Sequence, residues 1–346
     1  MPTTSIDTFF ACSLIVSVAI AATVFAAGNL QTQIDATRDV NDQDYLKNLA
    51  DRIVFSSGNP PDWGSQGIVP QSFGLSDPEI QRFLGLDIDK VSRLNNENVY
   101  ALSYPEIMKA SRLGCSFGIS VFQILSISIE PVGNETLGDF TSYSFVVRTS
   151  KDTRPAASNL RYYVIAPDFM ENATVTTSNQ GIANISFQIP ISSKGPALLI
   201  VFARASIDSR MTTAEVYSFG HQEDSQQPNQ TILKLSPLNY SLKFTSDSQE
   251  ITVNSALAFT FSYQSNLTAT SHSTFSIPSL IDTSPILIVV QGLNHTSSFV
   301  EWVAYPQLPS EAGADFSNSE ANVFDYIVTI KGTFYKLQLS LGDPTP

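Results

Sequence analysis

Apolar residues run almost without interruption from Phe9 to Ala27 (FFACSLIVSVAIAATVFAA), and no charge occurs between Asp7 and Asp35. Nineteen residues at about 1.5 Å rise span roughly 28 Å, close to the hydrocarbon thickness of a bilayer, so this run predicts a membrane-spanning helix. Beyond Gly28 the pattern turns periodic. Leu30, Ile34, Tyr45, Leu49 and Ile53 recur at helical spacing with charges between them, which extends the same helix outward as an amphipathic stalk. It is expected to stop near Gly58, because Asn59-Pro60-Pro61 removes donors and forces extended backbone.

Residues 59–114 read as a small, mostly helical connector. Ser76-Asp77-Pro78-Glu79 offers a cap, an early proline and an early acid, with Gly85 as a stop. A second helix is predicted from Ser103-Tyr104-Pro105-Glu106 to Gly114. Trp63 and Phe73 stand in Gly-bearing turns as packing aromatics, with Trp63 a secondary candidate for ligand stacking.

From Phe117 the period falls to 2. Ile119 and Val121 alternate with polar residues, and after a slip at Ile124 so do Leu125, Ile127 and Ile129, giving one bulged strand or two short ones. Strand patterns recur at Tyr143–Thr149, Leu160–Ala166, Ala173–Thr177, Ile182–Ile189, Ala197–Ala205 and Thr213–Phe219, at the spacing of a sandwich. Gly220–Asn229 (GHQEDSQQPN) is polar and aperiodic and reads as a linker. A second set of strands follows it, closed by a hairpin signal at Lys331-Gly332. The expected fold is mainly β with a long N-terminal α-helix: a single transmembrane helix followed by two immunoglobulin-like β-sandwich domains. Its parts are the membrane and stalk helix (1–58), the connector (59–114), a first sandwich (115–219), a linker (220–230) and a second sandwich (231–346).

Composition narrows the role. The net charge of −13 comes from 32 acidic against 19 basic residues, with no Lys/Arg cluster, so nucleic acid is not an expected partner. Cys12 lies in the apolar run and Cys115 far along the chain, which leaves no disulfide to expect. The opening MPTTSID carries no Lys or Arg and the apolar core exceeds that of a cleaved signal, so a retained anchor is expected. Asn-x-Ser/Thr occurs at Asn134, Asn172, Asn184, Asn229, Asn239, Asn266 and Asn294, and at none of the seven asparagines before position 130. These candidate glycosylation sites place the C-terminal bulk outside the cell, on a single-pass chain in the cell membrane.

Chemistry is sparse. His221, His272 and His295 are scattered without Cys or carboxylate at metal-ligand spacing, and Gly-x-Ser-x-Gly, P-loop and dinucleotide glycine patterns are missing. No metal, cofactor or catalytic residue is expected. Phe299-Val300-Glu301-Trp302-Val303-Ala304-Tyr305 is the most distinctive distal run. Strand alternation places Glu301 and Trp302 on opposite faces, with Trp302 in the core or acting as a carbohydrate-stacking platform. Asp282, Asp315 and Asp325 read as solvated carboxylates.

Two resemblances complete the reading. Thr3-Thr4-Ser5-Ile6-Asp7 directly ahead of the apolar run resembles the Gln-x-Ser-x-Glu processing pattern of archaeal type IV pilin-like proteins with class III signals. Ser5 matches, Asp7 stands for the acid and Thr3 for the glutamine. The resemblance implies processing near Ser5 and self-assembly through the N-terminal helix, with Asp7 as the assembly carboxylate. Residues 117–219, with Gly181-x-Ala183-x-x-x-Phe187 and Leu198–Val201, resemble immunoglobulin-like modules of bacterial and archaeal surface proteins. The leading expectation is a non-enzymatic, membrane-anchored, extracellular structural or adhesive protein, a pilin-like subunit in one version. The alternative is a monomeric surface module binding carbohydrate or protein; an extracellular hydrolase comes third. No individual ligand is indicated.

Overall fold

The computed structural model describes residues 3–80, 84–222, 229–248, 250–308, 310–316 and 321–342, with the side chains of 3–8, 29–42, 310 and 311 outside the description. Contacts divide the chain into Met1–Ala50 and Asp51–Pro346.

The first part belongs to one helix, α1 (Thr3–Phe55), which passes through Gly28 without a break. Continuity follows from composition: the apolar run has no helix breaker, and no atom outside the helix crowds Gly28. Hydroxyls inside the apolar segment are satisfied locally. Ser17 Oγ donates to Ser13 O at 2.9 Å and Thr23 Oγ1 to Ile20 O at 2.8 Å, which spares them an unpaired polar group in an apolar surround. The predicted stalk ends at Phe55, just short of Gly58.

In the second part, Ile53 and Val54 are buried, Leu75 N–H donates to Ile53 O at 2.9 Å, and Tyr326 Oη donates to Asp51 at 2.8 Å. The connector holds three short helices: α2 (Trp63–Gln66), α3 (Ile88–Ser92) and α4 (Tyr104–Ser111). The last of these starts where expected, with a Ser103/Glu106 capping box. The helix predicted from Ser76 does not form over the described residues 76–80. Asp77 accepts from Glu79 N–H at 2.8 Å and Asp77 N–H donates to Gly85 O at 2.9 Å. The cap-like residues therefore close a turn, and α3 begins later under Asp87, whose side chain accepts from Asp89 and Lys90 N–H.

Twenty strands follow among the described residues. First come β1 (Ser116–Gln123), β2 (Leu125–Leu137), β3 (Phe140–Lys151) and β4 (Arg154–Pro155). Next are β5 (Ser158–Ala166), β6 (Phe169–Thr176), β7 (Ile182–Pro190), β8 (Gly195–Ala205) and β9 (Thr212–His221). Then β10 (Lys234–Leu238), β11 (Ser241–Thr245), β12 (Ile251–Phe259), β13 (Gln264–Asn266), β14 (Thr268–Ser271) and β15 (Thr274–Ser276) lead to β16 (Ile286–Asn294). The chain closes with β17 (Ser297–Tyr305), β18 (Ser310–Gly313), β19 (Asn322–Ile330) and β20 (Thr333–Gly342). All sheet pairings are antiparallel.

Three sheets stack face to face around the order β6-β5-β8-β9. One face of this central sheet, with Leu160, Tyr162, Val164, Leu199 and Val201, packs on Tyr143, Phe145, Ile185 and Phe187 of the sheet formed by β2, β3, β4 and β7. The opposite face, with Tyr163, Ile165, Leu198, Ile200 and Phe202, packs on Phe259, Leu287, Val289 and Val300 of β13-β12-β16-β17. The sandwich packing predicted for the two halves is thus realised through one shared sheet. Its strand β8 reads Ala-Leu-Leu-Ile-Val-Phe-Ala without polar alternation, as a strand covered on both sides must.

The slip at Ile124 is a switch of sheet. β1 leaves the stack to pair with β20 in the order β18-β1-β20-β19, while β2 pairs with β3. His221, placed in the linker by its polar surroundings, ends β9 and is fully buried, between Tyr143 Oη and Pro190 O at 2.9 Å each. Residues 223–228 of that linker lie outside the described residues.

The connector is bound to the β body through buried charge. Asp89 makes the link, accepting from Tyr305 Oη at 2.7 Å and from Asn239 N–H at 2.8 Å, while Lys90 Nζ, donating to Ser57 O and Ser76 O, braces the connector internally. Burial pushes the Asp89 carboxyl above its ordinary value, against the Tyr305 and Asn239 bonds, and likewise raises Asp87. A carboxyl raised in the folded state contributes stability that is fully present below its unfolded pKa and lost as the pH rises through the folded one. Asp89 and Asp87 should therefore contribute a fall in the melting temperature of the detergent-solubilised chain from about pH 4 towards neutrality, opposed by carboxyls such as Asp282 and Asp325 whose pKa is lowered. Asp89→Asn, which keeps an acceptor for Tyr305, should remove its share of that fall; an identical pH dependence in the variant would refute the assignment.

Candidate functional site

The segment Phe9–Gly28 is long and apolar enough to cross a membrane, with a mean hydropathy of 2.4, and every residue of it is exposed. Phe9, Phe10, Leu14, Ile15, Val24 and Phe25 each expose about two thirds or more of their surface. Transfer of these twenty residues from water into lipid or against a partner is favourable by about 25 cal/mol per Å² of apolar surface removed from water. The helix answers equally to a membrane anchor or a signal sequence. Ser5 and Asp7 sit in its first turns, but their side chains lie outside the described residues.

The second concentration of unusual residues is on β17. Glu301 and Trp302 point to opposite faces, as alternation requires, and Glu301 is the one fully buried. Its carboxylate accepts from Gln230 N–H and, at 2.9 Å, from Ile232 N–H, with the Thr231 and Leu233 amides also turned towards it. Burial pushes its pKa up; the four amides oppose that shift without cancelling it. Asn229 continues the clamp. Its Nδ2 donates to Trp302 O and its Oδ1 accepts from Trp302 N–H, both at 2.9 Å, so the amide stands in for an added strand residue. Residues 229–233 are thereby bound to the outer edge of β17.

The fold gives Asn229 and Asp282 partners that their sequence context does not suggest. The Asn229 sequon supplies a structural bond, and the nitrogen a glycan would occupy is the donor to Trp302. Asn134, Asn172, Asn184, Asn239 and Asn266 are exposed, and Asn294 is half-buried with Oδ1 accepting from Ser248 Oγ at 3.1 Å. Asp282 is likewise no solvated acid. It pairs with Arg204 at 2.7 Å and accepts from Ser262 N–H and Ser284 Oγ; burial alone would raise its pKa, and these partners together lower it. Asp325, by contrast, is an exposed strand-face carboxylate paired with Lys336 at 2.9 Å.

Trp63 cannot serve as a stacking platform. It is fully buried, its Nε1 donates to Gly74 O at 3.1 Å, and Arg93 and Lys90 lie over its ring at 5.2 and 5.8 Å. Trp302 is half-buried, packed at the rim of the core between the central and third sheets. It lines a cleft of about 380 Å³ where β17, the edge strand β9, the end of β1 and the 95–97 turn meet. Gln123, Gln230, Glu97 and Phe122 share that lining. The signal for this cleft was the Glu-Trp pair, but its other walls come from separate stretches of chain at 95–97, 121–123, 214–216, 229–230 and Leu287. No group of three or more His, Cys, Asp or Glu able to hold a metal occurs among the described residues.

No protein family matches the chain, and no curated protein matches it. Two solved structures are similar at low level. HBP35 of Porphyromonas gingivalis is 11% identical, over 58% of this chain and 67% of its own, with a TM-score of 0.21. The transglutaminase of red sea bream is 10% identical, over 52% of this chain and 31% of its own, with a TM-score of 0.21. At that score neither likeness carries an argument.

Proposed function

We propose that the chain is a membrane-anchored surface protein with a structural or adhesive role, held by Phe9–Gly28 and displaying its β body outside the cell. One observation carries this: the apolar segment is exposed along its whole length. Lipid, or copies of the same helix, is the environment such a surface requires. In the pilin-like version the helices also associate side by side, with the Asp7 carboxylate seeking a cationic partner at the lipid boundary.

Membrane extraction reports the anchoring, and Cys12, exposed on this helix, reports the association. The full chain should resist alkaline extraction from membranes, while protease added to intact cells should remove the β body. Val16→Lys together with Ile20→Lys, each costing about 2.5–3.5 kcal/mol at mid-membrane, should release the chain to the soluble fraction. Release of the unaltered chain would end the anchoring proposal. Oxidation of membranes carrying a Cys115→Ser chain should give Cys12-linked dimers, and Asp7→Ala should abolish them. Dimers unchanged by Asp7→Ala would rule out the assembly role. A binding role for the displayed body is favoured by the cleft beside Trp302.

A further inference from the structure

We propose that the Trp302 cleft binds a neutral saccharide. The inference rests on the surface-display reading for its setting, and on the chemistry of the cleft for its ligand. A sugar ring presents weakly positive C–H groups on its faces and hydroxyls at its edge. It is held by an aromatic face beside groups that both donate and accept hydrogen bonds.

The cleft combines these. Trp302 is half-buried, with its backbone N–H and C=O both taken by the Asn229 amide, so its placement is set by the clamp and by Val289 opposite it on β16. Gln230 follows Asn229 directly and is fixed in the same clamp through its own N–H to Glu301. Its Oε1 is buried and has no partner among the described residues. A buried acceptor without a donor costs about 1–3 kcal/mol, and a hydroxyl is the donor that relieves it. Gln123 presents its amide at the end of β1, its Oε1 accepting from Thr213 Oγ1. Gln123 lines the cleft, and its amide carries two further donors at Nε2.

Charge decides between neutral and anionic ligands. None of the described lining residues is Lys or Arg, whereas Glu97 and Glu215 both lie on the wall. Phosphate, sulfate or carboxylate would meet repulsion there with no compensating cation. The volume of about 380 Å³ is at the small end of the roughly 300–1,000 Å³ common for small-ligand sites, and suits one or two sugar units of a longer chain.

Only two tryptophans occur, and Trp63 is fully buried away from the cleft, so a change in tryptophan fluorescence on adding ligand reports Trp302 over the constant emission of Trp63. The detergent-solubilised full chain is titrated with oligomers of glucose, mannose and N-acetylglucosamine and with a heparin fragment, each to about 10 mM, enough to approach saturation of a site with a Kd on the order of 1 mM. Calorimetry provides a second readout. Saturable binding of at least one neutral oligomer is expected, weakened at least ~10-fold by Trp302→Ala. Gln230→Leu, which leaves the aromatic and the Glu301 contact in place and removes the unpaired acceptor, should weaken it several-fold without lowering the melting temperature. Binding confined to the heparin fragment, no binding to any neutral oligomer, or affinity unaltered in both variants would overturn the proposal. Such a failure leaves the membrane extraction result untouched, and a chain released from membranes that still binds sugar refutes only the anchor.

Discussion

Glu301→Ala is expected to destabilise the β body by about 3–5 kcal/mol, read as a fall in the denaturation midpoint of the full chain in detergent. The magnitude follows from what the carboxylate touches. Gln230 and Ile232 donate to it directly, the Thr231 and Leu233 amides point to it, and the side chain has no solvent exposure. Each buried donor left unmade costs about 1–3 kcal/mol, reduced where the 229–233 segment can move and admit water. Glu301→Gln retains one acceptor oxygen and should cost less, about 1–2 kcal/mol. The Asn229 clamp supports the same segment, so Asn229→Ala and Glu301→Ala should be non-additive. A loss below about 1 kcal/mol in Glu301→Ala would mean that the segment is held by other contacts.

That residue also shows where sequence reasoning reaches its limit. Alternation along β17 correctly separates Glu301 from Trp302, yet it cannot tell which face is covered. The cover for Glu301 comes from residues about seventy positions earlier in the chain, and no local pattern announces it. The same holds for Trp63, whose turn context suits an exposed aromatic as well as a buried one until Arg93, Lys90 and Gly74 close around it. Ser76-Asp77-Pro78-Glu79 failed for a different reason: its residues favour a helix start and a tight turn alike, and the bridge from Ser76 to Leu86 selects the turn.

Long-range order was legible where a period was unambiguous. The continuous helix through Gly28, the paired strands β19 and β20 and most strands of the stack stand within a few residues of their expected places. The sharing of the central sheet was written in β8 as an uninterrupted apolar run, although a strand of this kind cannot name its two partners. The short strands β13, β14 and β18 carry no apolar period, being three or four residues long and held mainly by pairing.

Phe202→Ala should destabilise the body by about 3–5 kcal/mol, and Leu199→Ala, on the same strand but the opposite face, by about 2–5 kcal/mol. Both side chains are fully buried. Phe202 packs with Tyr163 and the third sheet, while Leu199 packs towards the sheet of β2, β3, β4 and β7. If two separate sandwiches carried these residues, each variant would lower one of two melting transitions and leave the other in place. With one central sheet serving both interfaces, loss of β8 exposes the apolar faces of both outer sheets at once, about 10 Å away on either side. Calorimetry should then show a single transition that either variant lowers. The double variant should lie near the sum of the two, because the cavities open on opposite sides of the sheet. Two resolved transitions, with Phe202→Ala shifting only one, would show that the layers fold independently and that the shared sheet adds no coupling between them.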